Sequence, residues 1–183
     1  MGNLNTTAFF FLNQVAGRSA LWDWIIIFLA SYLAYILAAL FVIWLVLAKI
    51  VRDEKIKIAV SAIIGSVLGR GLLVESIRFF YHHPRPFAAL SGVKQLLFET
   101  SYSFPSGHAT FFFALSSVAY YYDKKAGIAF FILSGIMGIA RIMAGAHYPF
   151  DIIGGAFAGS VIGFASCALV KYFNTKNNTN TES

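Results

Sequence analysis

The stretch Trp24–Leu47, WIIIFLASYLAYILAALFVIWLVL, contains 24 residues and no charged side chain. As an α-helix it would be roughly 36 Å long, enough to cross the ~30 Å hydrocarbon core of a bilayer. It is too long for the core of a signal peptide and lacks a basic leader, so we expect it to be retained as a membrane span. The chain is therefore predicted to be an all-α integral membrane protein.

Further apolar stretches predict four more spans, at Ile58–Phe80, Pro105–Tyr122, Ala126–Ala144 and Phe150–Val170. The run Ala8–Val15 predicts a short helix that lies in the membrane interface, within an N-terminal segment of residues 1–23. The Asn- and Thr-rich residues 174–183 predict a disordered cytoplasmic tail. We thus expect one domain over residues 1–183, a bundle of about five transmembrane helices plus the interfacial helix.

Composition excludes several classes of protein. Hydrophobic residues make up 58% of the chain and charged residues only 12%, whereas soluble domains carry about 25% charged residues. The net charge of +6 does not indicate a nucleic-acid partner, because the basic residues lie between apolar runs and form no basic face with interleaved aromatic residues. The single cysteine, Cys167, lies in an apolar stretch and excludes a disulfide framework.

Basic residues in the loops predict the orientation. Eight of them fall on one side of the predicted spans, which is therefore cytoplasmic: Lys49, Arg52, Lys55, Lys57, Lys124, Lys125, Lys171 and Lys176. All four histidines fall on the other side: His82, His83, His108 and His147. This clustering predicts a chemical site on the extracytoplasmic side.

Three polar segments stand at this outer end, where lipid disfavours charge. They are RFFYHHPRP at 78–86, FPSGH at 104–108 and RIMAGAHYPFD at 141–151. A charged group at membrane depth costs several kcal/mol unless it is paired or faces a polar cavity. The three clusters on one side therefore indicate one shared site.

The segments contain the groups that phosphoryl transfer needs. Pro105, Ser106 and Gly107 suit the start of a helix that binds an anion. The guanidinium groups of Arg78, Arg85 and Arg141 match phosphate oxygens, and such a set needs no metal or cofactor.

A nucleophile and an acid complete the set. Asp151 follows His147 by four residues, so its carboxylate can accept from one imidazole nitrogen and leave the other free to attack phosphorus. His108, beside the predicted anion site, can protonate the leaving oxygen and later activate water.

These motifs resemble the type-2 phosphatidic acid phosphatase superfamily. Its signature is Lys, six residues, Arg-Pro; then Pro-Ser-Gly-His; then Ser-Arg, five residues, His, three residues, Asp. This chain differs from it at Arg78, in place of Lys, and at Ala140, in place of Ser. The resemblance implies the same roles: His147 as nucleophile, Asp151 as its orienting group, His108 as general acid, and Arg78, Arg85, Ser106, Gly107 and Arg141 as phosphate ligands.

The short loop between the first two motifs resembles that of bacterial undecaprenyl-diphosphate phosphatases. We therefore expect a lipid substrate, preferably undecaprenyl diphosphate, and a bacterial inner-membrane location with the site outside. The alternatives are a phosphatase for phosphatidylglycerol phosphate or phosphatidic acid, a lipid phosphotransferase, and a lipid-binding or scrambling protein with an inert motif. The soluble haloperoxidases of the superfamily are not expected. The sequence assigns no role to Arg70 and no oligomeric state.

Overall fold

The computed structural model describes residues 2–181, with side chains described for residues 4–176, and contains no strand within that range. Its helices are α1 (Gly2–Asn13), α2 (Ala20–Leu47), α3 (Arg52–Phe80), α4 (Pro86–Ala89), α5 (Gly107–Tyr122), α6 (Lys124–Met143) and α7 (Pro149–Thr181). They correspond to the predicted spans, and α1 corresponds to the helix predicted at Ala8–Val15.

Four helices, α2, α3, α6 and α7, are long and apolar enough to cross a membrane. The fifth, α5, has 16 residues and is about 24 Å long. It lies at the centre of the bundle, where it contacts α2, α3, α6 and α7, and most of its residues are buried. Because its neighbours shield it from lipid, its length need not match the bilayer. The predicted multi-pass helical membrane protein is confirmed.

The contact between α5 and α7 depends on small residues. A Cβ added at Gly159 would lie 2.2 Å from the Thr110 carbonyl oxygen, and one at Gly163 would lie 2.6 Å from that of Ala114. Each distance is far below van der Waals contact, so side chains there would force the helices apart. The glycines of α7 therefore allow close packing of the two helices.

Two helices contain a π-helical turn that the sequence pattern does not predict. One spans Phe28–Tyr32 in α2, and the other spans Leu68–Leu73 in α3. Such turns are frequent at functional sites because they rotate the following residues and change the carbonyl pairing. Here the first turn contains Ala30 and the second contains Arg70, and both residues contact the site described below.

The N-terminal helix is attached to the outer loops. Phe9 is fully buried, and its ring centroid lies 5.6 Å from that of Tyr148. At the end of α1, the Asn13 amide donates to the Lys94 and Met143 carbonyls, both at 2.8 Å, and its oxygen accepts from the Lys94 N–H at 2.9 Å. Since Asn13 is itself buried, α1 holds the loop between α4 and α5 against the end of α6.

The C-terminal helix extends beyond the predicted fifth span. The sequence predicts disorder from Asn174, but α7 continues to Thr181. No Gly or Pro follows Gly163 to end the helix, and helix propagation adds a hydrogen bond for each further residue. The last two residues of the predicted tail lie outside the described residues.

Candidate active site

The three polar segments meet at one end of the bundle. The first ends α3 and enters the outer loop, the second begins α5, and the third joins α6 to α7. Five of the six ionisable residues predicted for the site are almost completely buried, with exposures of 1–4%: Arg78, Arg85, Arg141, His147 and Asp151. Burial of so many ionisable groups requires close pairing, and the hydrogen bonds below supply it.

His147 lies between a carboxylate and an arginine. Its Nδ1 is 3.4 Å from Asp151 Oδ2, and its Nε2 is 3.3 Å from Arg85 Nη1. Asp151 Oδ2 also accepts from the Tyr148 N–H at 2.7 Å and from the Ser103 hydroxyl at 2.5 Å. The carboxylate is thus fixed, and it orients the ring so that Nε2 faces the arginines.

The surroundings of His147 favour the neutral ring. Burial lowers the pKa of His147 to about 3, a shift that the hydrogen bond donated to Asp151 opposes only in part. At neutral pH the ring therefore carries one proton. With that proton on Nδ1, toward Asp151, the lone pair of Nε2 is available for attack.

Backbone carbonyls hold the three arginines. Arg85 donates to the carbonyls of Ser101 at 2.6 Å and Ala146 at 2.9 Å. Arg78 donates to the Pro105 carbonyl at 3.0 Å. Arg141 donates at 3.0 Å to the Ala30 carbonyl, which lies in the π-helical turn of α2.

Two of these guanidinium groups keep a free donor. The Nε atoms of Arg78 and Arg141 are buried and have no hydrogen-bond partner among the residues described. An unpaired buried N–H is costly, and more so on a charged group. An anion bound between these side chains would satisfy both donors.

Glu99 bridges two of the arginines. Its Oε2 lies 2.6 Å from Arg85 Nη2, and its Oε1 contacts Arg141 Nη2. Nearby, the Ser101 hydroxyl accepts from Arg85 at 3.0 Å and from Arg78 at 3.3 Å. Sequence reasoning missed Glu99, Ser101 and Ser103, because they lie in an irregular loop where no periodicity indicates which side chains face inward. The available signal is the run of polar residues just before FPSGH.

The start of α5 differs in detail from the prediction. Ser106 caps the helix, with its hydroxyl accepting from the Ala109 N–H at 3.4 Å, and its own N–H donates to the Asp151 carbonyl at 3.0 Å. A Cβ at Gly107 would lie 2.3 Å from Arg70 Nε, so this glycine makes room for the Arg70 side chain. The roles of Ser106 and Gly107 as phosphate ligands remain predictions.

The other histidines occupy two different places. His108 is partly buried and lines a cavity together with Arg70. His82 and His83 pack against tyrosines of the outer loops, His82 on Tyr102 at 4.5 Å and His83 beside Tyr148 at 5.3 Å between ring centroids. The described residues contain no group of three or more His, Cys, Asp or Glu side chains that could hold a metal ion.

Known proteins resemble this chain in sequence and in fold. A family profile described as the PAP2 superfamily matches residues 56–178. The chain is 34% identical to the bacitracin transport permease protein BcrC of Bacillus licheniformis over 158 residues, 85% of this chain and 75% of that protein. It is 29% identical to the undecaprenyl-diphosphatase BcrC of Bacillus subtilis strain 168, covering 88% of this chain and 81% of that protein. The crystal structure of LpxE from Aquifex aeolicus superposes with a TM-score of 0.73 and 30% identity, covering 90% of this chain and 94% of that one.

Proposed function

The chain belongs to the PAP2 superfamily of lipid phosphatases, and we propose that it hydrolyses undecaprenyl diphosphate through a phosphohistidine at His147. The observation that carries the proposal is the position of His147, whose Nδ1 faces Asp151 and whose Nε2 faces Arg85. The relative named as an undecaprenyl-diphosphatase supports the substrate.

In the first step, Nε2 of His147 attacks the terminal phosphorus. The N–P bond forms while the bond to the bridging oxygen breaks, and the electron pair leaves on that oxygen, which takes a proton from His108. Asp151 stabilises the positive charge that develops on the ring. Arg78, Arg85 and Arg141 bind the equatorial oxygens, whose charge they neutralise in the transition state.

In the second step, water hydrolyses the phosphohistidine. His108, now neutral, accepts a proton from the attacking water, the N–P bond breaks, and inorganic phosphate leaves. Glu99 competes with the phosphate for Arg85 and Arg141. It would therefore move aside when the substrate binds, and its return to the two arginines would favour release of the product.

The proposal places the site on the extracytoplasmic side of a bacterial inner membrane. The eight basic residues at the opposite end of the bundle support this orientation. Residues 1–23 would lie in the outer interface, where the lipid phosphate enters sideways while its chain stays in hydrocarbon.

The test is phosphate release in detergent with EDTA present. Undecaprenyl diphosphate, phosphatidylglycerol phosphate and phosphatidic acid are compared with wild type and with His147→Ala. We expect release that EDTA does not abolish, highest for the diphosphate, and a loss of at least about 10³-fold in the variant, as for other residues that carry covalent catalysis. Higher activity on either glycerolipid would replace the substrate, and unchanged activity in His147→Ala would refute the mechanism.

Two other functions predict different results in the same assay. A lipid phosphotransferase would need a second lipid as acceptor and would release little free phosphate without it. A lipid-binding or scrambling protein would release none, although His147→Ala would still bind lipid. The three buried arginines around His147 favour hydrolysis over an inert motif.

A further inference from the structure

Arg70 is a charged residue that the three family motifs do not include. It lies ten residues before the end of α3, roughly 15 Å along the helix. Its only carboxylate partner among the residues described is Glu75, and both side chains remain about half exposed, at 42% and 52%. A charge at this depth that is neither buried nor fully neutralised needs a polar ligand or a water-filled cleft.

The surroundings of Arg70 connect it to the phosphate site. Glu75 Oε1 pairs with Arg70 and also lies 3.5 Å from Arg78 Nη1, so both guanidinium groups face the same carboxylate oxygen. Arg78 in turn shares the Ser101 hydroxyl with Arg85, the arginine beside His147. Arg70 therefore extends the row of arginines away from the nucleophile.

This extension runs toward the general acid. Arg70 packs against Gly107, where a Cβ would meet its Nε at 2.3 Å, and it lines a cavity of about 260 Å³ with Gly107 and His108. The remaining walls are apolar and come from α2 and α5: Ala34, Tyr35, Ala38, Phe111 and Phe112. Tyr35 is 76% exposed, so the cavity opens to the surface of the helix bundle.

A leaving group must sit beside the general acid. When the substrate is a lipid monophosphate, the leaving group is an uncharged alcohol. When the substrate is a lipid diphosphate, the leaving group is a lipid phosphate, which carries negative charge next to His108 and an apolar chain beyond it. A cavity that has one guanidinium beside His108 and otherwise apolar walls fits the second leaving group.

We propose that Arg70 binds the lipid-linked phosphate of a diphosphate substrate and so selects diphosphates over monophosphates. This inference rests on the proposed function and names the substrate class of the same site. In the reaction, the bond between the terminal phosphorus and the bridging oxygen breaks, and Arg70 neutralises the charge on the departing lipid phosphate. Protonation of the leaving oxygen by His108 is then less important than it is when the leaving group is an alcohol.

The test uses two non-hydrolysable ligands with the same prenyl chain, a methylenediphosphonate and a phosphonate. Their affinities are measured for wild type, Arg70→Gln, Arg70→Lys and the control Arg52→Gln, which alters an exposed arginine at the first residue of α3. A charged hydrogen bond is worth about 1.5–3 kcal/mol. We therefore expect Arg70→Gln to weaken diphosphonate binding about 10- to 150-fold and phosphonate binding less than about threefold, with an intermediate loss in Arg70→Lys and none in Arg52→Gln.

Each result decides the inference. Phosphonate binding by Arg70→Gln reports an intact phosphate site, and an equal loss for both ligands would overturn the proposal, because Arg70 would then only support the fold. If Arg70→Gln binds neither ligand, the affinities of Arg70→Lys decide. The proposal requires that this variant bind the diphosphonate more weakly than wild type does and bind the phosphonate equally well. The proposed function fails separately, when wild type binds these ligands but releases no phosphate from the diphosphate lipid.

Discussion

Ser103 offers a sharp test of how the nucleophile is oriented. Its hydroxyl is fully buried and donates to Asp151 Oδ2 at 2.5 Å, and it also lies 3.4 Å from His147 Nδ1. Ser103→Ala removes this hydroxyl but leaves the Tyr148 N–H on the same carboxylate oxygen at 2.7 Å. Besides the His147 ring, the carboxylate therefore keeps one of its two donors and stays in place with more freedom.

The size of the effect follows from the bond that is lost. A hydrogen bond to a charged group contributes about 1.5–3 kcal/mol, which corresponds to about 10- to 150-fold in rate when it acts only in the transition state. Because the second donor remains, we expect kcat to fall about 10- to 30-fold. KM should change less than about twofold, since Ser103 contacts His147 and Asp151 rather than the arginines.

The assay is steady-state phosphate release in detergent, together with quench-flow measurement of phosphoenzyme formation. Ser117→Ala is the matched control, because this buried hydroxyl donates only to the Phe113 carbonyl of its own helix, at 2.9 Å. Thermal unfolding of both variants reports stability. Wild-type kcat in Ser103→Ala, or a defect confined to KM, would refute the view that Ser103 orients Asp151.

Two further predictions concern helix packing and pH. Gly159→Ala should lower the free energy of unfolding by about 1–3 kcal/mol, because its Cβ would overlap the Thr110 carbonyl. The control Gly135→Ala should not lower it, since a Cβ there meets nothing within 4 Å. Equal stability of the two variants in thermal unfolding in detergent would contradict the packing. Since burial lowers the pKa of His147 to about 3, the folded enzyme should keep this ring neutral as pH falls below 6.5, whereas the unfolded chain takes up the proton. Stability should therefore decrease between about pH 6.5 and pH 3 more in wild type than in His147→Gln, and an NMR titration that finds the ring protonated at pH 6 would refute this assignment.

The sequence predicts the membrane spans and the charged residues at one end of the bundle. Apolar length locates the outer ends of all five spans to within four residues, because a helix that crosses lipid needs a long uncharged stretch. The same constraint makes Arg78, Arg85 and Arg141 conspicuous, since charge near lipid has few explanations. The structure places these arginines beside His147 and Asp151, and loop residues that the sequence does not single out complete the hydrogen bonds.

Three details of the site depend on contacts that no sequence pattern encodes. The π-helical turn of α2, which contains the Ala30 carbonyl that accepts from Arg141, leaves the apolar composition of the span unchanged. The sequence predicts Gly107 as a phosphate ligand but gives no sign that its missing side chain also makes room for Arg70, which is 37 positions earlier in the chain. Glu99 gives no periodic signal, because it lies in a loop whose path is set by tertiary hydrogen bonds.

The wall of the site extends beyond the part of the chain that the family profile matches. That match begins at residue 56, yet Ala30 of α2 accepts a hydrogen bond from Arg141, and Asn13 of α1 joins Lys94 of the outer loop to the end of α6. Backbone carbonyls fix the buried arginines, so a shift in any segment that supplies one would misplace a guanidinium group. The N-terminal helices therefore help to position the proposed phosphate site, and their contribution is geometric rather than chemical.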